Sequence, residues 1–469
     1  MFKHLRIQNF KGWKDTGKIE MAPISLFFGA NSSGKSSIGQ FLMMLKQTVE
    51  LPDRKAVFYP GGKYSAVQLG SYQEMVFNRN ASHKIAFEYR WSLRAPLEIE
   101  DPVSGKPFSG EDLTFHAEVG LEDTGLESKD LNSPGLNHLK YELMKNDEVT
   151  LTLTMGRKAT NKSGYEVGAT GYKLRRKQGR AWPIGAPVRF YGFPDEVVAY
   201  YQNADFAQAL NLRHEKLFGS LSYLGPLRTR AERLYSWSGS EPESVGYEGE
   251  NAIAAILSAR NRKISLGPNL KNRPLQEIVA SALKQMGLIE TFKVNPISRK
   301  RQEYEVKVRT KGSNDSVDLL DVGFGISQVL PVLVQCFYAP PGSIILMEQP
   351  EIHLHPRAQS ALADVMIDVI NSRENHADRN IQLVIETHSE HFLRRLQRRI
   401  AEDRLPKEKV SVYFANVTNT PATLVPLEID LYGNIQNWPE NFFGDEMEDV
   451  VAHGKAAMER RKEQGAPHK

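Results

Sequence analysis

Cysteine is almost missing from this sequence, with one residue, Cys336, in a chain of 469. A single cysteine cannot form a disulfide within the chain, which excludes a disulfide-stabilised secreted scaffold. We therefore expect a cytoplasmic protein. Cys336 stands in the apolar run 332–337, which has a helical pattern, and we interpret it as a core residue.

Long apolar runs and a strong charge imbalance are missing too. No stretch of about 18 apolar residues occurs, so we expect no membrane-spanning helix. The first residues, MFKHLRIQNFKGW, lack the apolar centre of a signal peptide. The formal net charge of +4 is too small to indicate nucleic-acid binding by itself. With 41% hydrophobic and 25% charged residues, the composition is that of a globular protein.

A glycine-rich loop is present near the start of the sequence. Residues 29–36 read GANSSGKS and fit the pattern G-x-x-x-x-G-K-S, between an apolar strand-like run and a helix-like segment. The backbone N–H groups of such a loop, with the following helix N-terminus, form a phosphate nest. We expect Lys35 to reach the β- and γ-phosphates of ATP and Ser36 to hold Mg²⁺. The expected nucleotide contacts are Asn31, Ser32, Ser33, Gly34, Lys35, Ser36 and Ser37.

An acidic turn follows a later apolar strand. Residues 343–347 are apolar apart from the first serine, and the chain continues Glu348-Gln349-Pro350-Glu351. A carboxylate at the end of a buried strand is well placed to bind the Mg²⁺ that bridges phosphates. The alternative is a strand-capping acidic turn, which the loop at 29–36 disfavours.

Two further segments complete the pattern. The apolar run 381–385 ends in Glu386-Thr387-His388-Ser389, where His388 can contact the γ-phosphate or an attacking water, and where Thr387 or Ser389 can cap the next helix. The segment 321–328 places Gly323 and Gly325 at the start of an apolar helix, which is a weaker signal for a second anion site.

Together these segments resemble the ABC-type ATPase head of RecF-, SMC- and OLD-like proteins. In that comparison 29–36 is the Walker A loop, 323–328 stands at the signature motif, 348–356 matches Walker B with its following Leu-His-Pro, and His388 matches the switch histidine. The long middle shows no sustained heptads, which resembles the OLD-like ATPases of prokaryotes. The closing segment 438–443, WPENFF, resembles a C-terminal domain of unknown function found in one branch of them.

The resemblance implies an α/β fold, a P-loop NTPase head of the ABC type with a mixed or parallel sheet. A β-rich insertion and a helical lobe, in which one helix is expected over 197–217, interrupt the head. The expected divisions are an N-terminal lobe with Walker A over 1–120, a β-hairpin insertion over 121–190, a helical lobe over 191–290, a C-terminal lobe over 291–430 and a tail over 431–469.

The resemblance also implies that two heads sandwich two molecules of ATP, as a homodimer or a higher even oligomer. The Walker A loop of one chain would then face the signature residues of its partner, which are Gly323, Gly325 and Ser327. Glu348 is expected to bind Mg²⁺. Gln73 is the candidate for the glutamine that joins Mg²⁺ to the hydrolytic water, with Gln68 as the alternative.

Two departures from the family pattern change the expected mechanism. The signature segment lacks its usual serine at the position of Gly323, and Ser327 comes later. Heads of this group usually end the Walker B strand in Asp-Glu, whereas this chain has Glu348-Gln349. An amide cannot accept a proton as a general base. Glu351 lies two residues further on and can substitute if the turn allows it. We therefore predict an ATP hydrolase that is slow, with a long-lived ATP-bound dimer.

Three functions are compatible with these residues. The first is a switch or sensor that controls a separate effector, a nuclease, in prokaryotic anti-phage defence, since the chain resembles at family level the ATPase subunits of systems such as Septu and PARIS. The alternatives are a RecF-like DNA-repair clamp and an ATP-binding scaffold with little turnover. Contact with nucleic acid stays open because of four basic clusters, at 173–180, 299–301, 394–399 and 460–462.

Overall fold

The computed structural model describes residues 1–121, 133–158, 164–179, 183–298, 301–416, 421–439 and 446–465. The strands are β1 (Phe2–Phe10), β2 (Trp13–Asp15), β3 (Ile19–Glu20), β4 (Ile24–Gly29), β5 (Ile85–Glu100), β6 (Pro107–Leu121), β7 (Pro134–Lys145), β8 (Glu148–Arg157), β9 (Tyr165–Thr170), β10 (Leu221–Leu224), β11 (Tyr235–Ser236), β12 (Lys263–Ile264), β13 (Arg273–Pro274), β14 (Thr291–Pro296), β15 (Glu303–Arg309), β16 (Val317–Asp318), β17 (Ile344–Glu348), β18 (Arg373–Glu374), β19 (Ala377–Asp378), β20 (Gln382–Glu386), β21 (Val410–Asn416) and β22 (Thr423–Pro426). The helices are α1 (Lys35–Glu50), α2 (Tyr72–Met75), α3 (Asp195–Tyr200), α4 (Phe206–Gly219), α5 (Ala252–Ser258), α6 (Leu275–Gln285), α7 (Phe324–Tyr338), α8 (Pro356–Ile370), α9 (Glu390–Ala401) and α10 (Glu446–Gly465).

A mostly parallel sheet lies at the centre, with the strand order β10-β17-β20-β4-β21-β22. Its first five strands run parallel, and β22 is an antiparallel edge strand. The inner strands are apolar on both faces, as expected for a sheet covered by helices on both sides. Successive residues of β4 alternate between two cores: Leu26 and Phe28 pack with α7, α8 and α9, whereas Phe27 packs with α1 and α4.

A second, antiparallel sheet follows the order β2-β1-β5-β6-β7-β8-β9, with β3 paired to β1. Burial alternates along β5, so one face packs against α1 and α4 while the other is more exposed. The pairing of β6 with β7 runs from Asp112↔Met144 to Leu121↔Pro134. The sheet therefore continues across residue 120, the predicted boundary between the N-terminal lobe and the insertion. Strands from both predicted divisions form one layer.

The segment between β9 and β10 contains two helices, α3 and α4. The prediction of a single helix over 197–217 is wrong, because this segment forms two helices, α3 and α4. Tyr201 is extended and forms a bridge with Arg176, and the buried side chain of Asn203 donates to Asp101 (3.0 Å). These contacts hold the intervening residues out of a helix. The helices α5 and α6 pack beside α7, in the core that also contains Leu26 and Phe28 of β4. They lie next to the small sheet β11-β15-β14.

Within the described ranges, none of the helices has both the length and the apolar character needed to cross a bilayer.

Candidate functional site

The glycine loop connects the end of β4 to the start of α1. Gly34 has φ of 89°, in the left-handed region, and a Cβ atom there would lie 3.2 Å from the ring of Trp13. The indole Nε1 of Trp13 donates to the Gly34 carbonyl (3.2 Å) and to Ser37 Oγ (2.8 Å). Trp13 on β2 therefore holds the loop in place through two hydrogen bonds. The glycine-loop motif does not include this residue and did not predict its role.

Lys35 is folded back onto the loop that it follows. Its Nζ donates to the carbonyls of Gly29 (3.0 Å) and Ala30 (2.7 Å), and only 5% of the residue is exposed. Burial lowers the pKa of Lys35, and the charge of Glu386 opposes that shift. Of the other expected contacts, Asn31 and Ser32 are exposed at the tip of the loop, while Ser33 and Ser37 are buried and Gly34 and Ser36 are half-buried.

Two carboxylates meet at the carboxyl end of the central strands. Glu348 on β17 is directly opposite Glu386 on β20, and Glu386 is opposite Phe27 on β4. The Ser36 hydroxyl, near the Glu386 carboxyl, lowers the pKa of that group. Glu348 Oε1 accepts from the Tyr223 hydroxyl (2.8 Å). Sequence reasoning placed Glu348 and Ser36 here, but it missed Glu386 and Tyr223, because strand order cannot be derived from a single strand's pattern.

The pKa values of Glu348 and Glu386 are raised because the two carboxyl groups are close together and largely buried. Burial, and then the charge of Glu386, raise the pKa of Glu348 to about 7. Burial also raises the pKa of Glu386, against the effects of Ser36 and Lys35. A hydroxyl and two carboxylates are oxygen donors that fit Mg²⁺. In the described ranges no three His, Cys, Asp or Glu side chains form a metal-holding group, so a cation here would need Ser36 and phosphate oxygens as well.

The Walker B turn is held by backbone contacts. Gln349 has φ of 45°, and its N–H donates to the carbonyl of Glu386 (2.8 Å). Glu351 is 6% exposed, and its Oε1 accepts from the backbone N–H of His388 (2.8 Å). Burial raises the pKa of Glu351. One oxygen of Glu351 is thus engaged in joining the Walker B turn to the end of β20.

His388 lies between β20 and α9, with its side chain exposed. Partial burial of the ring, and then the charge of Lys35, lower the pKa of His388, which favours the neutral imidazole at pH 7. Ser389 Oγ accepts from the N–H of Phe392 (3.0 Å) and caps α9. The serine therefore acts as the cap, and this leaves the histidine side chain available near Lys35.

The signature segment begins α7 beside the turn that follows Walker B. A Cβ on Gly325 would lie 2.6 Å from the carbonyl oxygen of His353, so only glycine fits this close approach. Ser327 is 8% exposed and its hydroxyl donates to the Phe324 carbonyl (2.8 Å). Gly323 and Phe324 are the exposed residues at this helix start. As folded, the segment presents these two residues rather than Ser327 to a partner.

Arg228 is a buried cation that sequence reasoning did not identify. It lies in the turn after β10, is 7% exposed, and its Nη2 donates to the carbonyls of Glu348 (3.1 Å) and Gln349 (3.3 Å). Its own carbonyl accepts from Gln328 on α7 (3.4 Å). Burial lowers the pKa of Arg228 to about 10. Arg228 therefore connects the Walker B turn to the signature helix.

Both candidate glutamines are exposed. Gln73 is exposed on α2, and no hydrogen bond described for this chain joins it to Ser36 or Glu348. Gln68 is also exposed, and it donates to the carbonyl of Lys63 (3.1 Å).

Of the basic clusters, 394–399 lies on α9, where Arg395 and Arg399 pair with Asp364 and Arg398 pairs with Glu402. Several expected residues lie outside the described residues or, at 461 and 462, outside the described side chains; these are 180, 299, 300, 440–443, 461 and 462.

Comparison with known proteins gives two family matches. The model described as AAA ATPase domain matches residues 1–143 and 251–393. A model described as a protein of unknown function (DUF3696) matches residues 405–452, which confirms the closing domain expected from its sequence. No curated protein matches the chain.

Several solved structures are similar to the chain. An SMC head domain from Thermotoga maritima has 11% identity and a TM-score of 0.40, covering 91% of this chain and 99% of that one. An SmcHead bound to the C-winged helix domain of ScpA has 8% identity and a TM-score of 0.40, covering 92% and 98%. An Smc head domain with an extended coiled coil, bound to the C-terminal domain of ScpA derived from Pyrococcus furiosus, has 8% identity and a TM-score of 0.41, covering 97% and 99%.

Proposed function

This chain belongs to the AAA ATPase domain family and is an ABC-type ATPase, and from that premise we propose that it works as a slow, ATP-driven switch. The observation that carries the proposal is Gln349, which occupies the position after the Walker B carboxylate where a general base is needed. The nearby Glu351 is buried, with one oxygen engaged by the His388 N–H. Neither residue offers a free, solvent-facing carboxylate to an attacking water.

Nucleotide binding is assigned to the glycine loop. The loop N–H groups and the N-terminus of α1 would hold the phosphates, and Lys35 would leave its two carbonyl partners to bind them. Ser36 and Glu348 would hold Mg²⁺, and Gln73, exposed on α2, would join it to the hydrolytic water. When bound, Mg²⁺ neutralises negative charge on the phosphate oxygens. His388, neutral and exposed beside Lys35, would contact the γ-phosphate.

We assign assembly to a composite site formed by two chains. The loop of one chain would face Gly323, Gly325 and Ser327 of the other, in a homodimer or a higher even oligomer. The exposure of Gly323 and Phe324 at the start of α7 supports this arrangement. Slow hydrolysis would then keep the ATP-bound dimer assembled for long enough to act as a signal.

The dimer would act on a separate effector, a nuclease, in prokaryotic anti-phage defence. The support for this part is the family-level resemblance of the motifs to the ATPase subunits of such systems. A partner that the wild-type protein retains with ATP, and that the Lys35→Ala variant does not retain, is the expected result of a pull-down.

Single-turnover ATP hydrolysis tests the proposal. A missing general base costs at least about a hundredfold in rate, so we expect about 0.1 s⁻¹ or less, against an ordinary enzyme median of about 10 s⁻¹. The Lys35→Ala variant is the control for binding, and it should lose both ATP affinity and ATP-dependent dimerisation on a sizing column. A wild-type rate near 10 s⁻¹ would refute the slow switch, while a protein that does not bind ATP would refute the site itself.

A further inference from the structure

Of the two paired carboxylates, Glu386 lies nearer to the glycine loop than Glu348 does. In the order β17-β20-β4, Glu348 is two strands away from the loop strand and Glu386 is one strand away. At a strand spacing of about 4.8 Å, these positions lie roughly 10 Å and 5 Å from β4. Glu348 accepts a hydrogen bond from Tyr223 on β10, at the opposite side of β17, whereas Ser36 and Lys35 both lower the pKa of Glu386. The carboxylate beside Ser36 is therefore the one on β20.

Glu386 also has an oxygen without a partner. Its Oε2 is buried and accepts no hydrogen bond from the described part of the chain. Leaving a buried acceptor without a partner is unfavourable, and a bound ion is one way to satisfy such a group. Lys35 does not fill this role, because its Nζ donates to two loop carbonyls and to Ser33 Oγ. A hard cation is the ligand that two carboxylates and a hydroxyl select.

We propose that Glu386 is a carboxylate ligand of the divalent cation, binding it together with Ser36 and Glu348, an inference that rests on the proposed binding of Mg²⁺ and ATP. The cation would then sit between β20 and the start of α1, where the nucleotide phosphates also arrive. Its two carboxylates come from adjacent parallel strands instead of from one Walker B turn. This assignment also commits Glu386 to the metal, which leaves the site without a free general base.

Thermodynamic coupling between Mg²⁺ and nucleotide tests this role without measuring turnover. The dissociation constant of a fluorescent, non-hydrolysable ATP analogue is measured with the full chain, in EDTA and in excess Mg²⁺. The ratio of the two values reports how much the cation strengthens nucleotide binding. Glu386→Gln keeps the size of the side chain but removes the charge, and it should lower this ratio about tenfold or more.

Two variants serve as controls. Glu98→Gln removes the same charge from an exposed position on β5, and its ratio should equal that of the wild type. Glu386→Asp keeps a carboxylate and should retain most of the ratio, which covers the case where the glutamine variant does not fold.

A Glu386→Gln ratio within twofold of the wild type overturns the proposal, even if that variant no longer hydrolyses ATP, because Glu386 would then act on the water and not on the metal. Failure of the wild-type protein to bind the analogue under either condition refutes the proposed function instead.

Discussion

At the scale of single residues, Gln349 is expected to limit the hydrolysis rate. Its backbone is already fixed by φ of 45° and by the hydrogen bond to the Glu386 carbonyl, so exchanging the side chain should leave the turn in place. Gln349→Glu restores a group that can accept a proton from water. General-base catalysis contributes about a hundredfold or more, and we expect an increase of that order in the single-turnover rate of ATP hydrolysis.

The matched control for this prediction is Gln349→Ala, which removes the amide without adding a carboxylate. It should hydrolyse ATP no faster than the wild-type protein. Equal rates for the glutamate and alanine variants would mean that another group already activates the water.

The sequence predicts the candidate site residues that lie within a motif, and it does not predict those that depend on the order of strands. Lys35, Ser36 and Glu348 follow from local patterns, because a loop and the end of a strand are read from consecutive residues. Glu386 and Arg228 could not be identified in this way. Each has a neighbour more than 100 positions away in the sequence: Glu386 lies opposite Phe27 of β4, and Arg228 donates to the Walker B turn.

At the scale of elements, α4 is fixed to the antiparallel sheet by a buried histidine. His214 receives or gives hydrogen bonds at both ring nitrogens, with Tyr89 on β5 (2.8 Å) and Tyr141 on β7 (2.9 Å). The ring of Tyr191 stacks on it with centroids 4.5 Å apart. Burial holds the pKa of His214 well below 6.5 and raises the pKa values of the three tyrosines, so all four groups are neutral at pH 7.

This network makes stability depend on pH in a defined direction. Below about pH 6.5 the unfolded chain binds a proton at His214 that the folded chain does not bind, so the free energy of unfolding falls by up to about 1.4 kcal/mol per pH unit. Above that pH the contribution is constant. Between pH 7.5 and 5.5, thermal unfolding should therefore show a larger drop in Tm for the wild-type protein than for His214→Gln.

The comparison is made between the two pH-dependent drops, since the glutamine variant also loses ring stacking at every pH. Carboxylates elsewhere titrate equally in both proteins and cancel. Equal drops would show that His214 does not titrate on unfolding in this range.

Helices and strands with a regular spacing of apolar residues were predicted more reliably than the points at which these elements are interrupted. The strands around the site and the helix after the glycine loop follow from apolar runs and helical spacing. The interruption between α3 and α4 does not, because it depends on contacts of Asn203 and Tyr201 with residues distant in sequence. The apolar residues of 197–217 favour a single helix, and tertiary contacts override that preference.

At the scale of the whole molecule, the predicted fold class is confirmed: the chain is an α/β P-loop head of the ABC type. The central sheet separates two cores, and its carboxyl edge carries the glycine loop, both carboxylates and His388. The signature segment instead begins α7, and its described close contact is with the turn at His353.

Phe324 provides a test of assembly that leaves the loop untouched. It is 49% exposed at the start of α7, and its ring meets that of His353 edge to face at 4.8 Å. If this surface covers the loop of a partner, Phe324→Asp places a charge in the interface. Loss of a central aromatic contact costs about 2 kcal/mol or more, which corresponds to about 30-fold in the dimer dissociation constant.

We expect light scattering with a non-hydrolysable ATP analogue to show a dimer for the wild-type protein and a monomer for Phe324→Asp, with nucleotide affinity of the monomer preserved. Leu431→Asp is the matched control, because Leu431 is 69% exposed in the segment after β22 and is not one of the signature residues assigned to the interface. It should dimerise like the wild type. An undiminished Phe324→Asp dimer would exclude the signature surface from assembly, since a buried, unpaired carboxylate cannot be accommodated there without cost.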